Sequence, residues 1–338
     1  MPSNRILKGF IAAPSAAVIL YAAAWLGSAF ILKAQAENWI AAQQQAGRTI
    51  THGALVFGGF PGRAQITISD WAMSAPMADG GWSWRAPSVR LLARPWAPNT
   101  FTVDLAGEHT VAGAWTPPDV AVAIKADRAD FQPKLNANGQ VAEVMVAVSK
   151  LSVGDAIASL EAGSASITQI ENQNTPTWRL NLDATNTKIL STAIPTARLT
   201  VDLVGEIRSG GLTTALTAWR EGGGTLEVRD LTLDWPPLSV SGSGTLALDE
   251  KLQPIGALTA KFRGFFETLD AFTAQGLVRT ADASMARIVL GLMSRTPAGG
   301  GPPELNLAVT VQNQKLYTGP ISLMAVPTVT WPESIALP

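Results

Sequence analysis

"VFGGFPGRAQITISDW", Val56–Trp71, admits two readings, and the choice between them decides the fold. As a loop that cradles phosphate it would lead into a helix; as a turn it would join two strands. A phosphate loop needs Gly-x-x-x-x-Gly-Lys-Ser/Thr, so that backbone amides wrap the anion and the lysine reaches its outer oxygens. Gly58 and Arg63 fall near that spacing, but no Lys-Ser/Thr pair comes after them and no helix signal opens. Instead the chain continues as "QITISDW", in which polar and apolar residues alternate with the period of a half-buried strand. Phe60-Pro61-Gly62 supplies the turn, with a preset φ at the proline and a glycine free to take a positive φ after it. The stretch therefore reads as a strand connection.

Working outward, the same alternation recurs along most of the chain. "PSVRLLARPW", "NTFTVDLAGEHTVAGAW", "DVAVAIKADRADF", "QVAEVMVAVSKLSV", "DAIASLEAGSASITQI", "TWRLNLDATNTKIL" and "ARLTVDLVGEIR" succeed one another, separated by Gly, Pro, Asn and Asp. No helix-length crossovers intervene, so antiparallel hairpins are expected rather than a parallel sheet. Near residue 210 the period changes. "GLTTALTAWREGG" places Leu212, Leu216 and Trp219 on one helical stripe, and a division of the body is expected there. Strands then resume, followed by two helices, "FFETLDAFTAQG" and "DASMARIVLGLMSR", with Met285, Ile288, Val289 and Leu292 on one face of the second. The fold class is thus mainly β: a long, twisted antiparallel sheet able to curl, with a few packing helices.

Upstream lies "GFIAAPSAAVILYAAAWLGSAFIL", Gly9–Leu32, 24 uncharged residues between Lys8 and Lys33. A helix needs about 20 such residues to cross the hydrocarbon core. Arg5 and Lys8 precede the run, which favours a cytoplasmic N-terminus and an exported body. The expected organisation is a short cytoplasmic segment (1–8), a transmembrane anchor (9–32), a helical linker (33–50) ending at Gly47, and a periplasmic β-rich body (51–338). Ala34-Gln35-Ala36 also has the small-x-small form of a signal cleavage site, but signal apolar regions usually span about 7–15 residues. An uncleaved anchor is the preferred reading, with cleavage after Ala36 as the alternative.

Composition narrows the chemistry. The 338 residues carry a net charge of -1, which gives no basic face for nucleic acid. There is no cysteine, so thiolate catalysis, disulfides and cysteine-bound metals are excluded. Two histidines, His52 and His109, are too few for most histidine-built metal sites; His52 reads as a turn residue and His109 as a surface one. The glycine runs "EGGGT", "AGGGPP" and "SGSGT" lack the strand–helix context of a dinucleotide loop, and no Gly-x-Ser-x-Gly elbow occurs. Asp104, Asp127, Asp130 and Asp202 sit singly on strands, and nothing marks a carboxylate pair. No catalytic residue and no cofactor is expected.

Two features could bind something. Trp96, Trp115, Trp235 and Trp331 each adjoin prolines, as edge-capping anchors would if they buried their indoles. Arg90 and Arg94 share one strand face, with Arg85 on the other, and two arginines above an apolar sheet could hold a lipid phosphate. Val144 and Val146 are the candidate inward positions for acyl chains, because helices are too few early in the chain to cover the apolar strand faces.

The stretch "LSVSGSGTLALDEKLQPIGALTAKFRGF", Leu238–Phe265, resembles the strand–turn–strand unit of AsmA-like periplasmic proteins. The anchor, "GGFPGR", the late helix pair and "KLYTGPISL" together resemble an alphaproteobacterial family, domain of unknown function 2125. The AsmA-like resemblance implies a sheet curled into an apolar groove and a role in lipid handling, although this chain is far shorter than the long bridging members. Three functions are therefore expected to compete: a non-enzymatic lipid or acyl-chain binder of the envelope, a factor docking a partner envelope protein, and a hydrolase with no recognisable motif.

Overall fold

A computed structural model describes residues 3–75, 81–113, 120–136, 141–154, 157–170, 175–190, 192–208, 210–276, 278–331 and 336–337. The chain is mainly β, its described strands pair antiparallel, and it divides into two compact units, Met1–Asp155 and Ala156–Pro338. The division thus falls after Asp155, whereas the change of period suggested one near 210.

The first unit opens with helix α1, Ser3–Gln45. It runs without a break through the expected anchor and into the expected linker as far as Gln45. Gly47, at φ +83, ends it as a left-handed glycine does, and a strand already begins at Thr49. The helix's stretch Val18–Gln45 is long and apolar enough to cross a membrane. Nine strands come next: β1 (Thr49–Thr51), β2 (Leu55–Gly58), β3 (Ala64–Ala75), β4 (Trp82–Arg94), β5 (Ala97–Asp104), β6 (Gly107–Ala112), β7 (Val122–Ala126), β8 (Arg128–Leu135) and β9 (Val141–Val153). β3 pairs with β1 and β2 on one side and with β4 on the other. β4 carries both β5 and β6 on its far side; these pair with β8 and β7, and β9 closes both.

One crease crosses this sheet. Asp70, at φ 50, stands at the register position of Pro87, which has no N–H to give. Along the same line β5 gives way to β6 before Gly107 (φ +116), β7 to β8 at Asp127, and Lys150 takes φ 47 opposite them. The sequence pattern runs β5 with β6 and β7 with β8 as single strands, because each pair continues one alternation. The crease also reverses parity. Ala64, Ile66 and Ile68 are buried before it in β3, and Trp71, Met73 and Ala75 after it.

The core of this unit is built where α1 meets the sheet. Leu32 and Ile40 of α1 are buried with Ile50, Ile66, Ile68, Trp71, Met73, Ala86, Val89 and Ala93. Trp25, Ala29 and Ala64 form a second buried group.

The second unit is a run of neighbouring strands: β10 (Ala158–Gln169), β11 (Thr177–Ile189), β12 (Thr192–Val204), β14 (Thr225–Trp235), β15 (Leu238–Leu248), β16 (Pro254–Arg263), β17 (Leu305–Gln312), β18 (Lys315–Thr318) and β19 (Ile321–Ala325). A short β13 (Gly210–Gly211) pairs with β20 (Ala336–Leu337). Helix α2 (Leu212–Glu221) lies between β13 and β14, and α3 (Phe265–Ala274) and α4 (Thr280–Met293) between β16 and β17. All three match the helical stripes in the sequence. Asn186, at φ 49, faces Pro195 across β11 and β12, the same pairing as Asp70 with Pro87.

Candidate apolar faces and the polar networks behind them

Register converts strand alternation into two distinct faces. In the first unit, Ile66, Leu91, Val103, Phe131 and Val146 are successive partners across β3, β4, β5, β8 and β9. α1 packs on β1, β3, β4 and β5, so this row starts under the helix and runs out from beneath it. Ile66 is 0% exposed and Phe131 36%, with Val144 and Val146 half-buried. In the second unit, Ile167, Leu180, Val201, Val228, Gly244, Leu258 and Val309 are likewise successive partners across seven strands. Val201, Val228 and Val309 are buried, whereas Ile167 at the β10 end is 43% exposed. Here α3 packs on β15, and α2 at the β13–β20 pair.

The opposite faces are polar and internally paired. Thr67, Arg90, Asp104, Asp130 and Ala147 form the row beside the first apolar one. Arg90 is held by Asp104 at 2.6 Å and Asp130 by Arg128 at 2.7 Å, while Lys150 meets Asp127 at 3.0 Å. Asp104 and Asp130 are direct register partners, a carboxylate pair that no sequence spacing marked, but each already has its own arginine. Thr168, Arg179, Asp202 and Glu227 occupy the equivalent row of the second unit. Asp202 is fully buried and accepts from Arg179 at 2.6 and 2.8 Å and from Arg229 at 2.9 Å. The Arg179 hydrogen bond, against the opposing effect of burial and with help from Arg229, holds its carboxyl below the usual carboxylate range.

These positions correct the sequence-derived site. Arg90 lies on the face opposite Val144 and Val146, and Arg94 is exposed at the strand end, past a register shift at Ala93/Arg94. Arginine pair and valines therefore do not form one site. Arg85 is exposed too, and the buried positions of β4 are Ala86, Val89 and Ala93. The crease at Pro87 changes the inward parity between them, so all three arginines lie off the buried face. Val144 and Val146 do share the apolar face.

His109 is buried, not superficial. Its Nδ1 accepts from Trp84 Nε1–H at 3.1 Å, which leaves the proton on Nε2 to donate to the Leu105 carbonyl at 2.6 Å. Trp39, Trp71, Trp84 and His109 form a chain of ring contacts from α1 to β6, at 6.2, 5.7 and 6.0 Å. His52 is exposed at the turn before Gly53, as its sequence context implied. Of the tryptophan–proline corners, Trp331 donates to the Leu252 carbonyl at 2.8 Å, but Trp96 and Trp235 are 70% and 47% exposed and bury no indole. Trp115 lies outside the described residues.

The loop at Gly59–Arg63 joins β2 to β3, the strand connection its sequence implies. Its left-handed glycine is Gly59, at φ +92, where a Cβ would approach the Arg63 carbonyl oxygen to 2.1 Å; Gly62 does not carry the positive φ. In the second unit an open depression is lined by Asp249, Ile255, Gly256, Thr310, Val311, Gln312 and Asn313. Asp249 there is committed to its own turn, accepting from the amides of Lys251 and Gln253 at 2.8 Å each. Among the described residues no three His, Asp or Glu side chains gather as a metal site would require.

No curated protein and no solved structure matches this chain. A family profile does, over residues 25–327, and its description is "Uncharacterized protein conserved in bacteria (DUF2125)". That match takes in the C-terminal half of α1 and both β units, and so the chain belongs to the DUF2125 family of conserved bacterial proteins.

Proposed function

We propose that this is an envelope protein held in the inner membrane by α1, with its body in the periplasm, and that the uncovered parts of its apolar sheet faces hold lipid acyl chains. The observation that carries this reading is the row Ile66–Leu91–Val103–Phe131–Val146, dry at its helix-covered start and half-open at its end. An apolar face needs a partner layer, and β8 and β9 lie beyond the strands on which α1 packs. Acyl chains suit such a surface, because burial contributes about 0.8 kcal/mol per methylene whatever the head group. The resemblance of the Leu238–Phe265 sequence to the strand–turn–strand unit of AsmA-like proteins is in keeping with this reading. The paired arginines and carboxylates of the polar faces support structure, and the reading assigns them no ligand.

A second reading rests on α4. Its Met285, Ile288 and Leu292 are 68%, 64% and 83% exposed, an apolar stripe at helical spacing that a partner envelope protein would cover. The two readings separate on one substitution. Val146→Asp puts a charge on the half-open row at a position outside the core that α1 buries. It should abolish binding of a fluorescent acyl probe by the full-length protein, whereas Arg90→Ala should leave it unchanged. Equal binding by wild type and Val146→Asp would reject the apolar row as the acyl site.

A further inference from the structure

The β2–β3 loop packs on residues that belong to the expected anchor itself. Among the described side chains, the first of α1 to contact the body is Tyr21, whose hydroxyl donates to the Pro61 and Gly62 carbonyls. Phe60 packs on the Tyr21 and Trp25 rings at 6.4 and 5.5 Å, and Phe57 on Phe30 at 5.5 Å. Farther along, Ala64 is buried with Trp25 and Ala29, and Trp71 stacks on Trp39. β3 therefore runs beside α1 in the same direction, and the β2–β3 loop lies at the end of the sheet nearer the helix N-terminus.

The part of the apolar run that precedes Tyr21 is Gly9–Leu20, 12 residues, of which Val18, Ile19 and Leu20 are exposed. At about 1.5 Å per residue it spans about 18 Å, well short of the roughly 30 Å hydrocarbon core. About eight more residues, as far as Ser28, must lie within the bilayer, and the loop lies alongside them. Its own chemistry fits lipid: Val56, Phe57 and Phe60 are 58%, 40% and 56% exposed, beside the exposed helix residues Leu26, Phe30 and Ile31. In water this would be one continuous apolar patch of loop and helix. Arg63, exposed at the loop's exit, has the reach to return its charge to the head groups.

We infer that the β2–β3 loop is inserted into the body-side leaflet beside α1, so that helix and loop together form the membrane-bound part of the protein. This rests on the anchor reading of α1 and adds a second membrane-embedded element to it. The glycines and proline that made the stretch look like a phosphate loop give a tight tip that carries phenylalanines into lipid.

The chain has no cysteine, which permits a direct test on the full-length protein. Leu20→Cys, Val56→Cys, Phe60→Cys and Lys125→Cys are each labelled with a nitrobenzoxadiazole fluorophore and reconstituted into phosphatidylethanolamine–phosphatidylglycerol vesicles containing acyl-chain nitroxide lipids. Val56 has no part in the Phe60–Trp25 contact, so its variant keeps the test sound if Phe60→Cys perturbs the loop. Quenching several-fold greater at Leu20, Val56 and Phe60 than at Lys125 is expected. Quenching at Leu20 with none at Val56 and Phe60 would overturn the loop insertion and leave the anchor standing. Absence of quenching at Leu20 would remove the anchor, and the inference with it.

Discussion

At the residue scale, Asp202 shows how the polar face is held. A buried carboxylate is costly unless its oxygens are satisfied, and Arg179 and Arg229 satisfy both. Both arginines are partly exposed, so solvent screens the pairs, and Asp202→Asn should cost only about 1–2 kcal/mol at neutral pH. The folded-state pKa is depressed, so the stabilisation is present above the unfolded value near 3.9 and is lost as pH falls through the folded one. Urea denaturation should show the gap between wild type and variant at pH 7 narrowing below about pH 4. A gap that persists undiminished into acid would mean that the carboxylate charge is not what stabilises. His109 teaches a different lesson. In sequence it is one polar residue among others on an alternating strand; only the register brings Trp84 and Leu105 to its two nitrogens.

At the scale of elements, alternation was enough to read the strands and the three short helices, because each apolar position answers to a local period. Two things were not legible. The crease is written in residues that look ordinary along the chain, Asp70 and Lys150, and becomes visible only when Pro87 and Asp127 fall opposite them. Since it reverses parity, it also misplaced Arg85 relative to Arg90. The second is α1, whose 43 residues are a single helix with one end in the core. A cut after Ala36 would remove Trp25, Ala29 and Leu32 from buried positions. The protein extracted from membranes should therefore keep its N-terminus on intact-mass analysis, and Ile40→Ala should destabilise the first unit by about 2–4 kcal/mol, as large-to-small core changes do. An isolated species beginning at Glu37 would contradict this account of the helix.

At the scale of the whole molecule, two β units each set an apolar face against a polar one, and in each the apolar row runs from buried to half-open positions. The aliphatic residues of these rows were visible in the sequence, but their uncovered ends were not, since cover depends on how far α1 extends across the strands. Membership of DUF2125 names relatives without naming a ligand, so the claim that the open rows hold acyl chains rests on the faces themselves. The most direct test places a photo-crosslinking amino acid at Val146, and separately at Arg90 on the opposite face, in the full-length protein in living cells. After irradiation, mass spectrometry of the purified protein should find phospholipid or fatty-acyl adducts at Val146 and none at Arg90. Lipid adducts absent from Val146, or equally abundant at both positions, would contradict the account.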